Sequence, residues 1–416
     1  MTSTSHEGPI EYWADYGLSP LPHWSARRPE AFPPWLQAVV DERLAHFEQP
    51  FTGVTADGVR RDGLFQLRET GADTRPLADA AQAFLGHLTP AQRDQARFPL
   101  DAEERRRWIN VHMYVFRHGV MLEDLDDHGR RLGLDLLHHT LSSRGFAQAR
   151  DIMRVNRLLA DVVDRPDEFG EWPYFVSIFG DPAGAEPWAW QLDGHHLCLN
   201  CTVIGDQVVV APAFMGAEPC RVFEGQLAGT MLFTAEERTG LDLIRSLHAD
   251  QAAKALLRPS IHPDDLPPEL QHPFDGRMRA GAYHDNVTVP YEGVSGAELS
   301  EAQRRRLLAV VAAYAGWSPG PHAELSMAEV AAHLDETWFC WMGGCDGDEP
   351  FYYRVQSPVI LVEFDHHPGV AFDNHVPSRN HIHSLMRVPN GNDYGIDLLR
   401  QHHDQFDHRG GHHIPR

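Results

Sequence analysis

The chain has 416 residues, of which 42% are hydrophobic and 23% are charged, and it is long enough for one large or two ordinary globular domains. Its formal net charge of −23 disfavours nucleic acid as a partner, because an acidic protein repels phosphates. No run of about 18 apolar residues occurs, so no membrane partner is predicted. The polar segment Met1 to Ile10 lacks the apolar stretch of a secretory signal, so we expect a soluble, cytoplasmic protein.

The first half of the chain is predicted to be mainly helical. Residues 1–75 predict an N-terminal extension packed on the main domain, with a helix over 35–47 and a β-hairpin over 51–67. Further on, apolar residues recur at helical spacing, and Thr89-Pro90 is a helix-start signal. Helices are predicted over 77–88, after Thr89, and over 103–116, 127–141 and 147–163.

The composition changes near residue 170, where aromatic and β-branched runs predict strands. Strands are predicted over 172–180, 188–204, 207–214, 337–342, 351–365 and 380–388, and helices over 236–255, 295–317, 327–334 and 394–403. Residues 259–286 read as irregular and are a candidate lid. The fold class predicted is α+β, with a helical N-terminal half followed by a mainly antiparallel sheet with flanking helices.

Five cysteines occur, too few and too unevenly spaced for a disulfide framework. Cys198 and Cys201 have CxxC spacing, but they lie in a predicted strand, where residues three apart point to opposite faces. This favours buried thiols over a four-thiolate zinc site.

Histidine is abundant, with 27 residues, so placement must decide which ones matter. One candidate segment runs from Trp190 to Asn200. On a single strand, His196 would share a face with polar neighbours, which makes it the better metal ligand. His195 would face the other way and suits packing or support of a ligand, unless a bulge at Gly194 exchanges the two.

A second segment contains His381-Ile382-His383. Residues two apart on a strand point the same way, about 6.6 Å apart, and two such imidazoles can converge on one metal at about 2.0–2.1 Å. Arg387 has the same parity, and its planar guanidinium would bind a substrate anion, such as a carboxylate, near the metal.

A third segment contains Glu363 and Asp365 on one face of an apolar strand. A buried carboxylate needs a partner, which would be a divalent cation or an arginine, Arg354 or Arg387. His366 and His367 precede a proline-glycine turn and are expected to be solvated.

Together these residues predict a metal site. The ligands proposed are His196, His381, His383 and Glu363, with His195 beside them, while Arg354, Asp193 and Asp365 would orient or act with the substrate. Imidazoles with one carboxylate suit iron, copper, zinc or manganese. Open positions favour oxygen activation, which makes iron our first choice.

Other readings of the same residues remain open. A bound water would instead favour a zinc-type hydrolase, with Asp365 or Glu363 as general base. The site could also belong to a non-enzymatic metal- or ligand-binding protein. In a chain so rich in histidine, the same residues could also simply form hydrogen bonds in the core.

Several stretches resemble one family. Trp188 to Leu197, Asn380 to His383 with Arg387, Phe351 to Gln356, Glu363 to Asp365 and Asn392 to Gly395 are similar to a bacterial and fungal domain-of-unknown-function family, number 3500.

The resemblance implies one domain, over residues 76–405, with a helical part at 76–165 and a sheet-rich part carrying the metal site at 170–405. Residues 406–416 would form a histidine-rich tail. The family supplies no activity, so function rests on the site: we predict a metal-dependent enzyme acting on a small organic molecule. The leading hypothesis is a mononuclear non-haem oxygenase or oxidoreductase.

Overall fold

A computed structural model describes residues 16–19, 24–28, 31–272, 274–346, 349–407 and 414–415. Within these ranges it contains ten α-helices. They are α1 (Pro34–Ala45), α2 (Arg75–His87), α3 (Pro90–Ala96), α4 (Asp127–Thr140), α5 (Ser143–Val162), α6 (Thr234–Ile244), α7 (Ala249–Ala255), α8 (Glu301–Ala315), α9 (Gly320–Ala332) and α10 (Ile396–Gln405).

Fourteen strands accompany these helices in the described ranges, twelve of them in one sheet. They are β1 (Arg97–Phe98), β2 (Val120–Met121), β3 (Tyr174–Phe179), β4 (Trp188–Gly194), β5 (Leu197–Ile204), β6 (Gln207–Ala217), β7 (Leu256–Arg258), β8 (Val294–Ser295), β9 (Trp338–Gly343), β10 (Phe351–Gln356), β11 (Leu361–His366), β12 (Ile382–Arg387), β13 (Phe406–Asp407) and β14 (Ile414–Pro415). The sheet order is β1-β3-β4-β5-β6-β12-β11-β10-β9-β7, with β2 beside β3 and β8 beside β9. Only the edge pairs β1–β3 and β7–β9 are parallel.

Side-chain caps explain where several helices begin. Thr89 and Gln92 form a reciprocal capping box at α3, and the side chains of Asp126 and Ser142 accept backbone N–H groups at α4 and α5. These caps satisfy donors that have no partner inside the helix.

The central strands are buried along their whole length, because both faces of the sheet are covered. On one face, alternate strand residues such as Leu199 and Met386 pack against helices α2, α4, α5, α6 and α8. On the other face, Cys198 and Leu385 pack against irregular segments that include Trp108 and Tyr283. The second face is the one on which the candidate site lies.

The predicted fold class, α+β, is confirmed: helices α1 to α5 precede residue 170, and most of the mainly antiparallel sheet follows it together with flanking helices α6 to α10. The predicted hairpin at 51–67 is wrong, because the described residues there form only an isolated bridge from Thr55. The helix at 103–116 is also wrong beyond a short 3₁₀ turn, Glu103–Arg106. The predicted helix at 236–255 is two helices, and the strands at 188–204 and 351–365 are each two strands.

The cysteines are free thiols. Cys198 belongs to the cluster on one face of the sheet and Cys201 to the cluster on the other. The two thiols therefore point to opposite faces of the sheet, as strand geometry predicts, and they cannot share a metal ion.

The predicted domain limits stay a prediction. In the tail, the pair His412 and His413 lies outside the described residues. None of the helices in the described ranges combines the length and apolar character needed to cross a membrane.

Gly293 leads into β8 with a φ of +96°, and a Cβ there would lie 2.0 Å from the Phe339 carbonyl oxygen. We expect Gly293→Ala to lower the free energy of unfolding by about 3 kcal/mol, combining left-handed strain with overlap. Gly63→Ala is the control, since Gly63 has a φ of +76° and open space around it, so about 1 kcal/mol is expected. Urea unfolding measures both, and equal losses would contradict the packing assigned to Gly293.

Candidate metal centre

Three histidine rings converge on one point. Nε2 of His196 lies 3.1 Å from Nε2 of His381 and 3.2 Å from Nε2 of His383, and the last two atoms are 3.1 Å apart. An ion at about 2.0–2.1 Å from each nitrogen would have N–metal–N angles of about 100°. Such a triangle occupies one side of an ion and leaves the other side open. Among the residues the structure describes, this is the one group of such donors close enough to hold a metal ion.

The ligands of this His triad (His196, His381 and His383) come from a turn and a strand. His196 is in the two-residue turn between β4 and β5 and has a φ of +62°. Its N–H donates to the carbonyl of Asn110 and its carbonyl accepts from the N–H of Gly216. His383 is in β12, and His381 comes immediately before that strand.

Gly216 lies in β6 directly opposite His383. A Cβ at this position would be 2.8 Å from the Ile382 carbonyl oxygen, 3.1 Å from Cδ2 of His383 and 3.2 Å from Cδ2 of His196. The missing side chain therefore leaves the space in which the two rings approach each other.

The orientation of His381 is set by a hydrogen bond on the far side of its ring. Its Nδ1 lies 2.7 Å from the carbonyl oxygen of Pro368, which can only accept, so Nδ1 carries the proton and Nε2 offers a lone pair to the centre. The Pro368 loop is itself held by Glu218, whose carboxylate accepts the N–H groups of Val370, Ala371 and Phe372.

His195 supports the triad from behind. Its ring stacks on that of His196 with centroids 3.9 Å apart, and its Nδ1 lies 2.7 Å from Oδ1 of Asn156. This is the supporting position predicted for it, reached through a turn instead of a strand.

Burial lowers the pKa of His196 and His383 well below 6.5, with smaller contributions from neighbouring histidines. Both imidazoles are therefore neutral near pH 7 and have lone pairs for a metal. The Nδ1 atom of His383 is buried without a hydrogen-bond partner among the described residues. A cation at the centre of the three Nε2 atoms fits the His triad, because it accepts all three lone pairs at once.

Glu363, predicted as a ligand, is not brought into the triad, which corrects the predicted set. It accepts the N–H groups of Arg279 and Ala280 at 2.8 and 2.9 Å and the hydroxyl of Tyr352 at 2.6 Å. It shares the sheet face of His383 but lies about 6.6 Å further along its strand than Asp365, the residue opposite His383.

The charged residues predicted to act on the substrate also lie elsewhere. Arg387 is four residues beyond His383, about 13 Å along the strand, and is fully buried with Asp285 and Asp393 at 3.0 and 2.9 Å. Arg354 pairs with Glu292 at 2.7 Å. Neither arginine reaches the triad.

Asp365 pairs with Arg277 at 2.6 Å and lies 2.9 Å from Nε2 of His367. Glu363 accepts the N–H groups of Arg279 and Ala280, and Arg387 donates to the carbonyls of Ala280 and Gly281. With Asp365, these side chains anchor residues 277–285 to the sheet. This part of the predicted lid is therefore fastened by buried polar contacts.

A cavity of about 190 Å³ opens beside the triad. Apolar side chains form much of its wall, and the polar part is mainly histidine. It is lined by Trp24, Trp35, Leu36, Asn110, Val111, His112, Met113, His195, His196, Phe274, His367, Gly369, Val370, His381 and His383.

The sequence prediction missed two of the cavity's histidines. His367, expected to be solvated, is buried with its ring centroid 3.8 Å from that of His383. The expectation for His366 is also wrong, since it is buried and lies 3.1 Å from Glu237. His112 comes from an irregular segment predicted to be a helix. The local sequence around His112 does not indicate a site residue. For His367, the carboxylate of Asp365 two residues earlier does indicate a buried partner.

Comparison with known proteins gives a family. The model of the family described as "Protein of unknown function (DUF3500)" matches residues 70–396, so the chain belongs to that family. No curated protein and no solved structure matches the chain. All three residues of the triad lie inside the matched range.

Gly216→Ala should weaken metal binding, because the new methyl group would push the rings of His196 and His383 apart. We expect a loss of affinity for Zn²⁺ of at least about ten-fold, comparable to losing a supporting contact, measured by competition with a chromophoric chelator. Gly86→Ala, in α2 with nothing within 4 Å, is the matched control. Unchanged affinity in Gly216→Ala would contradict the role given to this glycine.

Asp193, predicted as an orienting group, accepts the Ile109 N–H at 2.9 Å, beside the Asn110 carbonyl that binds His196. Burial raises the pKa of Asp193 from its ordinary 3.8 to about 7. Between these values the folded chain retains a proton that the unfolded chain releases, so Asp193 makes unfolding easier as pH rises from about 4 to 7.

In Asp193→Asn the side chain at position 193 is an amide, which does not titrate in this pH range. The stability of the native chain relative to Asp193→Asn should therefore fall as pH rises through that range, by at most about 1.4 kcal/mol per pH unit. Urea unfolding of both proteins at several pH values gives the difference. Parallel curves would show that Asp193 is ionised in the folded protein.

Proposed function

We propose that this protein is a mononuclear metal-dependent enzyme that acts on a small organic molecule. The observation that carries the proposal is the triangle of three Nε2 atoms in the wall of a cavity. Three protein ligands with an open side are typical of catalytic metals, whereas structural sites are closed by four ligands. This favours an enzyme over a non-enzymatic metal-binding protein.

The ligand set bears on which metal is bound. Three imidazoles suit iron, copper and zinc, whereas manganese prefers oxygen ligands. Glu363 is the predicted oxygen ligand that made manganese a candidate, and it does not lie in the triad, so manganese is no longer favoured. Iron or copper would supply electron transfer with dioxygen, and zinc would supply a polarised water.

We favour oxidation, with iron as the metal. The hydrolase predicted from the sequence uses a carboxylate as the base for a metal-bound water, and among the described residues that line the cavity none is an aspartate or glutamate. The two carboxylates predicted for that role are occupied, Asp365 by Arg277 and Glu363 by two backbone N–H groups and Tyr352.

A zinc hydrolase is the second candidate, and one observation favours it. Three histidines are a known ligand set for catalytic zinc with a bound water. In that case His367 would accept the proton, since it lines the cavity and lies 2.9 Å from the carboxylate of Asp365.

Elemental analysis of the purified protein tests the metal site. We expect about one equivalent of a transition metal per chain and a loss of at least about ten-fold in His381→Ala, because two ligands bind far more weakly than three. His139→Ala, an exposed histidine on α4, is the matched control and should retain the metal. Equal metal content in both variants would overturn the proposal.

The identity of the metal separates the two reactions. Iron or copper that changes its electron paramagnetic resonance signal with ascorbate and ferricyanide supports oxidation. Zinc alone would overturn oxidation and favour the hydrolase, because zinc has no redox chemistry.

A further inference from the structure

We propose that the substrate has a single polar group, which approaches the metal, and an apolar body about the size of a benzene ring. Sugars, phosphate esters and amino acids would be excluded. This inference rests on the proposed function, since it assigns the substrate class of the same site.

The cavity has two different ends. The His triad forms one end with His195, His367 and His112, whose ring centroid lies 5.5 Å from that of His195. Apart from Asn110 and Gly369, the remaining wall consists of apolar side chains. Those side chains are Trp24, Trp35, Leu36, Val111, Met113, Phe274 and Val370. A molecule with one polar end and one apolar end matches this division, since an apolar body is stabilised by leaving water.

The volume limits the apolar body. The cavity measures about 190 Å³, and an engineered apolar cavity of about 150 Å³ in another protein binds benzene. The space therefore suits one ring with few substituents, and a fused polycyclic molecule would extend past the exposed rim at Trp35.

The charge of the lining limits the polar part. None of the described lining residues is an arginine, lysine, aspartate or glutamate. Two arginines in neighbouring segments are paired, Arg43 with Asp275 at 2.5 Å and Arg277 with Asp365 at 2.6 Å. Since no described lining residue offers a cation, the bound metal would be the cation that meets a substrate oxygen, and a second charged group would be buried unpaired at a high cost.

Three of the apolar lining residues come from the N-terminal extension. Trp24, Trp35 and Leu36 precede residue 70, where the family match begins, whereas the triad lies within the match. Trp24 and Leu36 are buried, and Trp35 is 59% exposed at the rim. The N-terminal extension therefore adds specificity-determining residues to a metal site that belongs to the family domain.

Isothermal titration calorimetry with phenol, glucose and inorganic phosphate tests the proposal. Phenol should bind to the metal-loaded protein at least about ten-fold more tightly than glucose, with a negative heat-capacity change from apolar burial. Phosphate should not bind to the metal-free protein, because none of the described lining residues is an arginine or lysine, and phosphate binding there would also overturn the substrate class. Binding of glucose as tightly as phenol would overturn the substrate class.

Variants locate the bound ring. Phe274→Ala and Leu36→Ala should each weaken phenol binding at least about five-fold and favour 1-naphthol relative to phenol, because each enlarges the cavity. Phe223→Ala, at a 41% exposed position outside the cavity lining, should change neither. Unaltered phenol binding in both cavity variants would overturn the proposal, and the two variants guard against one failing to fold.

Metal-free protein separates this inference from the proposed function. The cavity walls do not require the metal, so phenol should still bind there, more weakly and with the same dependence on Phe274. Phenol binding in a protein that never retains metal would overturn the proposed function alone. A metal-loaded protein that does not bind phenol would overturn the substrate class alone.

Discussion

The site depends on one constraint, the close approach of three buried imidazoles, of which His381 and His383 lie two residues apart and His196 lies 185 residues before His381. Their Nε2 atoms lie 3.1 to 3.2 Å apart, a distance at which three lone pairs repel unless protons or a cation lie between them. Strand pairing imposes the approach, because β6 lies between β5 and β12 and carries Gly216 at the point of contact. The turn at His196 and the strand at His383 are thereby fixed by backbone hydrogen bonds, which gives the site rigid support.

The charged side chains on the same sheet face as the triad bind a buried irregular segment and not the metal site. On the same face of the sheet, Asp365, Glu363 and Arg387 each bond to residues 277–285. An irregular segment needs partners for its backbone N–H and carbonyl groups when it is buried, and these side chains supply them. Phe274, which lines the cavity, comes three residues before this anchored segment. Asp365, Glu363 and Arg387, which the sequence indicates as catalytic or ligating groups, therefore hold an irregular segment against the sheet.

The strand pattern made much of this arrangement predictable. His381 and His383 were expected to point the same way, and the structure brings them together because β12 is a regular strand. The single strand predicted through His196 is two strands, because β4 ends at Gly194 and β5 begins at Leu197, and His195 and His196 form the turn between them. For Glu363 and Arg387 the predicted face is right, but side-chain parity contains no information about distance along a strand. Trp24 and Leu36 reach the cavity from the other end of the chain, and no local pattern encodes such a contact.

Whether the three rings bind one ion can be seen at the ion itself. X-ray absorption spectroscopy of the purified, metal-loaded protein should show three imidazole nitrogens at about 2.0–2.1 Å, with the remaining positions filled by light solvent atoms. The multiple-scattering signal of imidazole should fall by about a third in His383→Ala. A metal coordinated by sulfur or by oxygen alone, with no imidazole signal, would contradict the account.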